Sequence, residues 1–200
     1  MSDTEFLIGR SGLDLQDDFY PDDLPHEWRF DYYSSSFKAL ALPIDTEEDF
    51  EQIFEDLEAD DSDVGDFELI ITILEEHLED VNHFEKLIKP FSGHESQIIF
   101  QLLVDSQPSS KIMNLLDNFR VSIQSKNKLK TSLEEVNVLE NYLYFDEVPV
   151  FYSDMAWDEK RMREYLEQIS VTSQKTVLIC KFAESETLNK IRIVAEILGF

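Results

Sequence analysis

The sequence predicts an α/β fold built on a parallel sheet, and three observations carry that expectation. Short apolar runs alternate with helix-period stripes about seven times along the chain, the order that strand–helix–strand units produce. Most of these runs are apolar rather than strictly alternating, as in LIITIL and IIFQLL with one polar residue each, which suits strands covered on both faces. The length of 200 residues fits one domain spanning 1–200, and an eight-fold (β/α) barrel needs at least about that many. By pattern alone, an open doubly wound sheet and a closed barrel are equally compatible.

Taken in order, the expected strands are Phe6–Arg10, Lys38–Ile44, Phe67–Ile73, Gln97–Val104, Phe119–Ser125, Val148–Tyr152 and Lys175–Phe182. Phe119–Ser125 can also be read as an extension of the helix before it. Thr46 precedes the stripe Phe50, Ile53, Phe54 and Leu57, with Asp49 at the third position after the cap. Ser132 and Glu135 have capping-box spacing ahead of Val136, Leu139 and Leu143, which predicts a helix there. Ser110 heads a helix with Met113 and Leu116, and Asp154 or Asp158 heads one with Met162, Tyr165, Leu166 and Ile169. Helices are also expected over Pro25–Phe37 and Asp80–Phe91. A last one carries Leu188, Ile191, Ala195 and Leu198 and stops at Gly199. One acidic stretch, Ala59–Asp66, reads as a surface loop.

Charge is the most distinctive property of the chain. The formal net charge is −26, and residues 1–80 carry 26 Asp and Glu against 3 Lys and Arg. Such a surface repels nucleic acid phosphates and anionic membranes, so neither is an expected partner. It serves either as a solubilising face or as a docking face for a basic protein. No apolar run reaches the roughly 18 residues that a membrane helix needs, and MSDTEF lacks the basic start of a secretory signal. The single cysteine, Cys180, cannot form an internal disulfide. Cytoplasmic residence is the expectation.

The stretch IGRSGLDLQDDFYPDDLPHEWRFDYYSSSF resembles the opening of the YecE-like family of barrel proteins, on Ile8, Gly9, Ser11, Gly12, Phe19, Tyr20, Pro21, Tyr32, Tyr33 and Phe37. Gln101 and Leu102 resemble the start of the family's Gln-Leu-Pro-Pro strand end, with Leu103 and Val104 in place of the prolines. Asn189 fits the start of its closing Asn-Ala-x-x-Leu helix. The resemblance implies a TIM-barrel-like fold, here with seven strands or incompletely closed. The chain also departs from the family. ALPIDTEEDF replaces an Asn-x-Thr-Phe-Tyr segment, and the third strand ends LIITILEE without the family's lysine. Ile123, Gln124 and Ser125 stand where the family has Glu-Phe-Arg, and its Arg-x-His-Gly segment has no counterpart. Losing these polar groups implies a vestigial, non-catalytic member.

Candidate chemistry lies where the strands end, because the loops of a barrel's carboxyl face carry its function. Those positions hold Arg10, Ser11, His77, Asp105, Lys126 and Asp154, with Asp45 and Glu75 beside them. Two cations among several acids suit a phosphorylated or carboxylic small molecule, and a carboxylate pair there could do acid–base work. No metal or cofactor is expected. His77 and His83 fit no zinc spacing, His26 lies in an acidic helix start, and DDSDVGD lacks the phasing of a calcium loop. Neither a Gly-x-Ser-x-Gly elbow nor a phosphate loop occurs, and the chain has only five glycines. Aromatic residues crowd positions 19–33, either for packing or as a partner surface.

Two functions follow. The first is a non-catalytic binding protein acting through its acidic surface, and the second is an enzyme or small-ligand binder using the mouth. Nucleic acid mimicry by the carboxylates of 47–51 and 55–63 is a third.

Overall fold

The computed structural model describes residues 4–16, 18–59, 67–169 and 173–199. Among these residues, nine strands form one sheet in the order β6-β7-β5-β4-β3-β2-β1-β9-β8. In sequence they are β1 (Glu5–Ser11), β2 (Ala39–Pro43), β3 (Glu68–Leu74), β4 (Ile98–Leu103), β5 (Arg120–Ser125), β6 (Glu134–Val138), β7 (Asn141–Phe145), β8 (Val150–Ser153) and β9 (Lys175–Cys180). All seven expected strands form, Phe119–Ser125 among them as β5. The α-helices among the described residues are α1 (Arg29–Ser34), α2 (Phe50–Ala59), α3 (Val81–Ile88), α4 (Ser110–Leu115), α5 (Glu159–Ile169) and α6 (Ser185–Leu198).

Two hydrophobic clusters explain the sheet's curvature. Ile8, Leu40, Leu42, Ile71, Phe100 and Leu178 pack with the helices on one face. Leu7, Ala39, Ala41, Ile70, Ile99, Val150, Val177 and Ile179 form a second cluster that contains no helix residue. Because side chains alternate across a strand, that second set is the other face of the same strands. With no helix to cover it, the sheet must curl onto itself to remove it from water.

The curl does not become the expected TIM-barrel-like closure. The sheet is a curled half-barrel, mixed in direction, and among the described residues its strands outnumber its helices. β1 to β5, β8 and β9 pair in parallel, whereas β7 runs antiparallel to both β5 and β6. The physical reason is one segment. Residues 132–143, read above as a helix, instead enter the β6–β7 hairpin, and β7 occupies the edge of β5 that lies opposite β4. No edge of β5 is left for β8.

Side chains bridge that seam. Ser122 Oγ accepts from the Val150 N–H at 3.0 Å. The Gln124 carboxamide donates to the Tyr152 carbonyl at 2.9 Å and accepts from the Tyr152 N–H at 2.7 Å. An amide side chain thus stands in for the backbone of a missing strand.

Several helix starts also shift. Thr46 accepts from the Glu48 N–H, while Asp49 accepts from those of Glu51 and Gln52 at the head of α2. Ser109, not Ser110, caps α4. Asp158 accepts from the Arg161 N–H, which leaves Asp154 free of the helix. Pro25–Phe37 splits into a 3-10 turn at His26–Trp28 and the short α1. The helix expected over Asp80–Phe91 forms as α3, capped by Asp80, and ends in a 3-10 turn at Lys89–Phe91; Gly199 closes α6, as expected. The surface loop expected at Ala59–Asp66, with its segment DDSDVGD, lies from residue 60 onward outside the described residues.

At the amino ends of the strands, Glu68 lies 3.0 Å from Arg120 and 2.9 Å from Lys175. Glu68 is buried, so two cations beside it offset the cost of removing its charge from water. Among the described residues no helix is long and apolar enough to cross a membrane.

Candidate functional site

A cavity of about 750 Å³ opens at the other end of the sheet. Its walls are the ends of β4 (Leu103 to Asp105), β5 (Gln124 to Lys126) and β8 (Phe151 to Met155), with Glu75, Arg161, Lys181 and the hairpin tip Leu139 to Asn141. In open parallel sheets this carboxyl end is where ligands bind.

Of the residues expected at the mouth, Asp105, Lys126 and Asp154 line this cavity, as does Glu75. Arg10, Ser11 and His77 do not. Arg10 shares the helix-covered face with Ile8; its Nη1 lies 3.6 Å from Glu184 and its Nε donates to the Ser11 carbonyl. Ser11 points to the inner face and bonds the Tyr152 hydroxyl. His77 Nδ1 accepts from the Leu74 N–H, which leaves Nε2 to carry the proton toward Asp45, 3.7 Å away. These three residues hold neighbouring strand ends in place.

Two of the lining carboxylates are already engaged. Glu75 accepts from the Ser106 hydroxyl and from the Asp105 N–H at 3.1 Å. Asp105 accepts from the Lys126 N–H at 3.3 Å, and its carbonyl accepts from Asn127 Nδ2 at 2.9 Å. Together they tie the loops after β3, β4 and β5. The hydrogen bonds from Ser106 and Asp105 hold the Glu75 carboxyl below its ordinary 4.5. A folded-state value below the unfolded one favours the native state above the unfolded value, and that advantage fades as pH falls through the folded one. Glu75→Gln is therefore expected to lower the melting temperature at neutral pH, with a deficit that shrinks below 4.5. Thermal melts of both proteins across that range check this.

The cations differ in this respect. Lys126, Arg161 and Lys181 take part in no ion pair among the described residues. Arg161 leans on the Trp157 ring, 5.6 Å from its centre, and donates from Nη2 to Met155 Sδ at 2.9 Å. Its Nε is buried with no hydrogen-bond partner. Beside these lie Ser125 and Ser153, whose hydroxyls accept from Asn127 and Met155 N–H groups and can still donate. Burial raises the Tyr152 phenol, so it stays protonated.

Sequence reasoning missed Arg161, Lys181 and the hairpin tip. The basic cluster EKRMR just after the Asp154 strand end was an available signal for Arg161. The tip was hidden by the helix misreading, because its turn uses Leu139 and Glu140 at φ 47° and 66° where Asn-Gly is usual. Placing side-chain-bearing residues there costs roughly 1–2 kcal/mol each, and Gln168 offsets part of it by accepting from the Leu139 N–H at 2.9 Å.

Neither cysteine nor histidine lines the cavity. Cys180 is buried in β9, which pushes its thiol up to about 12, far from a nucleophile's range. Among the described residues, no group of three or more His, Cys, Asp or Glu is arranged to hold a metal ion. Compared with family models the chain finds no match, and compared with curated proteins it finds no significant one.

Proposed function

We propose that the protein binds a small, polar, anionic molecule, a carboxylate or phosphate ester, in the cavity at the carboxyl ends of β4, β5 and β8. The observation that carries this reading is the Arg161 side chain. In a chain with 43 acidic residues against 17 Lys and Arg, this guanidinium lines the cavity without an ion pair and with Nε unpaired. A buried donor without a partner costs about 1–3 kcal/mol, which an anionic ligand would recover. Lys126 and Lys181 add charge, Ser125 and Ser153 add hydrogen bonds, and the free Asp154 and Glu140 favour ligands that also carry hydroxyl or ammonium donors. The strained tip at Leu139 and Glu140 supports the same reading, since such strain concentrates at functional sites.

Cytoplasmic residence belongs to this proposal, supported by the lone reduced cysteine; recovery in a membrane or secreted fraction would overturn it. Kinship with the YecE-like family is also a proposal, resting on the amino-terminal motif. Packing alone accounts for much of that motif here: Tyr33 bridges the Arg10 N–H and the Ala39 carbonyl, and Phe19 packs on Tyr20, Tyr32 and Phe37.

A thermal-shift panel of phosphate, citrate, glutamate and glucose 6-phosphate tests the binding function. A ligand at 100 times its Kd stabilises by about 2.7 kcal/mol, or roughly 5–10 °C for a chain this long. Arg161→Ala is expected to weaken the responding ligand at least about tenfold, as loss of a charged hydrogen bond does. A panel without response, or equal shifts in the variant, contradicts the reading.

A further inference from the structure

Among residues that do not line the cavity, Trp28 is 60% exposed and Tyr32, one turn further on, is 36% exposed. The 3-10 turn His26–Trp28 runs directly into α1, so these positions, four apart, lie on one helical face. The exposure of Tyr32 is not slack in the packing. Its ring rests edge-on against Phe19 at 5.3 Å and tilted against Tyr20 at 5.9 Å, and Phe19 is fixed in turn by Tyr33 and Phe37. This supported ring and the exposed Trp28 one turn before it form an aromatic ledge open to solvent.

The charge around the ledge has one sign. Asp22, Asp23, Glu27 and Asp31 are all exposed beside it. The basic groups nearby are already engaged: Arg29 pairs with Asp14 at 2.9 Å and lies over the Tyr20 ring, and His26 lies 3.6 Å from Glu48. Beneath the ledge, the Tyr20 hydroxyl oxygen has no hydrogen-bond partner.

We propose that this ledge docks a lysine- and arginine-rich segment of another protein. Ring faces attract cations through their quadrupole, and the flanking carboxylates attract the same groups. An anionic or purely apolar partner would gain from the rings but lose to the carboxylates, so charge complementarity selects a basic one. Tryptophan and tyrosine at the centre of a polar rim are also the residue types that dominate interface energetics. Arginine suits the ledge better than lysine, because its planar guanidinium stacks on a ring while its edges reach carboxylates. This surface is separate from the cavity and does not depend on it.

Fluorescence anisotropy of a labelled arginine decapeptide tests the proposal, with lysine and glutamate decapeptides beside it. The expected order is arginine tightest, lysine weaker and glutamate absent, with affinity falling as salt rises above about 100 mM. Trp28→Ala is expected to weaken the arginine peptide at least about tenfold, and Trp28→Phe to keep most of the affinity. Trp28 is too exposed for its loss to unfold the chain, which circular dichroism checks. Equal affinity in Trp28→Ala would assign the binding to diffuse acidic charge and overturn the ledge, as would no binding in low salt.

Discussion

Replacing Gly9 with alanine should lower the melting temperature by roughly 10 °C or prevent folding, since overpacking costs about 1–3 kcal/mol, and more where backbone must give way, and each kcal/mol is worth about 2–4 °C. Gly9 pairs with Ala39 in the parallel β1–β2 ladder. A Cβ at position 9 would lie 1.8 Å from the Ala39 carbonyl oxygen and 2.4 Å from its carbon. The obstacle is backbone, so no rotamer change relieves it, and β1 must move away from β2. That movement also loosens Ser11, which supports Tyr152 at the cavity wall. Thermal and urea melts of Gly9→Ala measure the effect; stability within about 1 kcal/mol of the parent would mean that β1 and β2 are not this close.

Gln124→Ala is the second large effect expected, a loss of about 2–4 kcal/mol, because two backbone groups of Tyr152 lose their partners at about 1–3 kcal/mol each. Neither has a substitute, since β7 already holds the edge of β5. Gln124→Glu separates hydrogen bonding from packing. A carboxylate can still accept from the Tyr152 N–H, but its second oxygen would face the Tyr152 carbonyl where Nε2 now donates at 2.9 Å. At neutral pH this variant should be at least as unstable as the alanine one. In acid, protonation restores a donor, so its stability relative to the parent should recover while that of Gln124→Ala does not. Urea unfolding at both pH values gives the answer, and equal deficits throughout would mean that β8 is held by contacts other than Gln124.

What the sequence revealed and what it hid divide along physical lines. The parallel strands were legible because burial on both faces writes a continuous apolar run, as in Val177–Cys180. The capped helices were legible where a side chain meets orphan amides, as at Asp158, which accepts from the Arg161 N–H. The β6–β7 hairpin was not, because Ser132 and Glu135 imitate a helix start while its turn lacks Asn or Gly. Without the hairpin, nothing in the pattern forbids closure of the sheet between β5 and β8. The site followed the same division. Asp105, Lys126 and Asp154 were found because they directly follow strand ends, but Arg10 and His77 do so as well and face elsewhere. Strand-end position marks the correct end of the sheet; which side of the strand a residue takes is decided by the pleat and the next loop.

The most direct test of the ligand-binding account is a ¹H–¹⁵N NMR titration of the protein with citrate and glucose 6-phosphate. Saturating shifts confined to the amides of Leu103–Asp105, Gln124–Lys126, Leu139–Asn141 and Phe151–Met155, and lost in Arg161→Ala, are the predicted result. Shifts scattered over exposed lysines such as Lys160 and Lys190, or none at these positions, would contradict it.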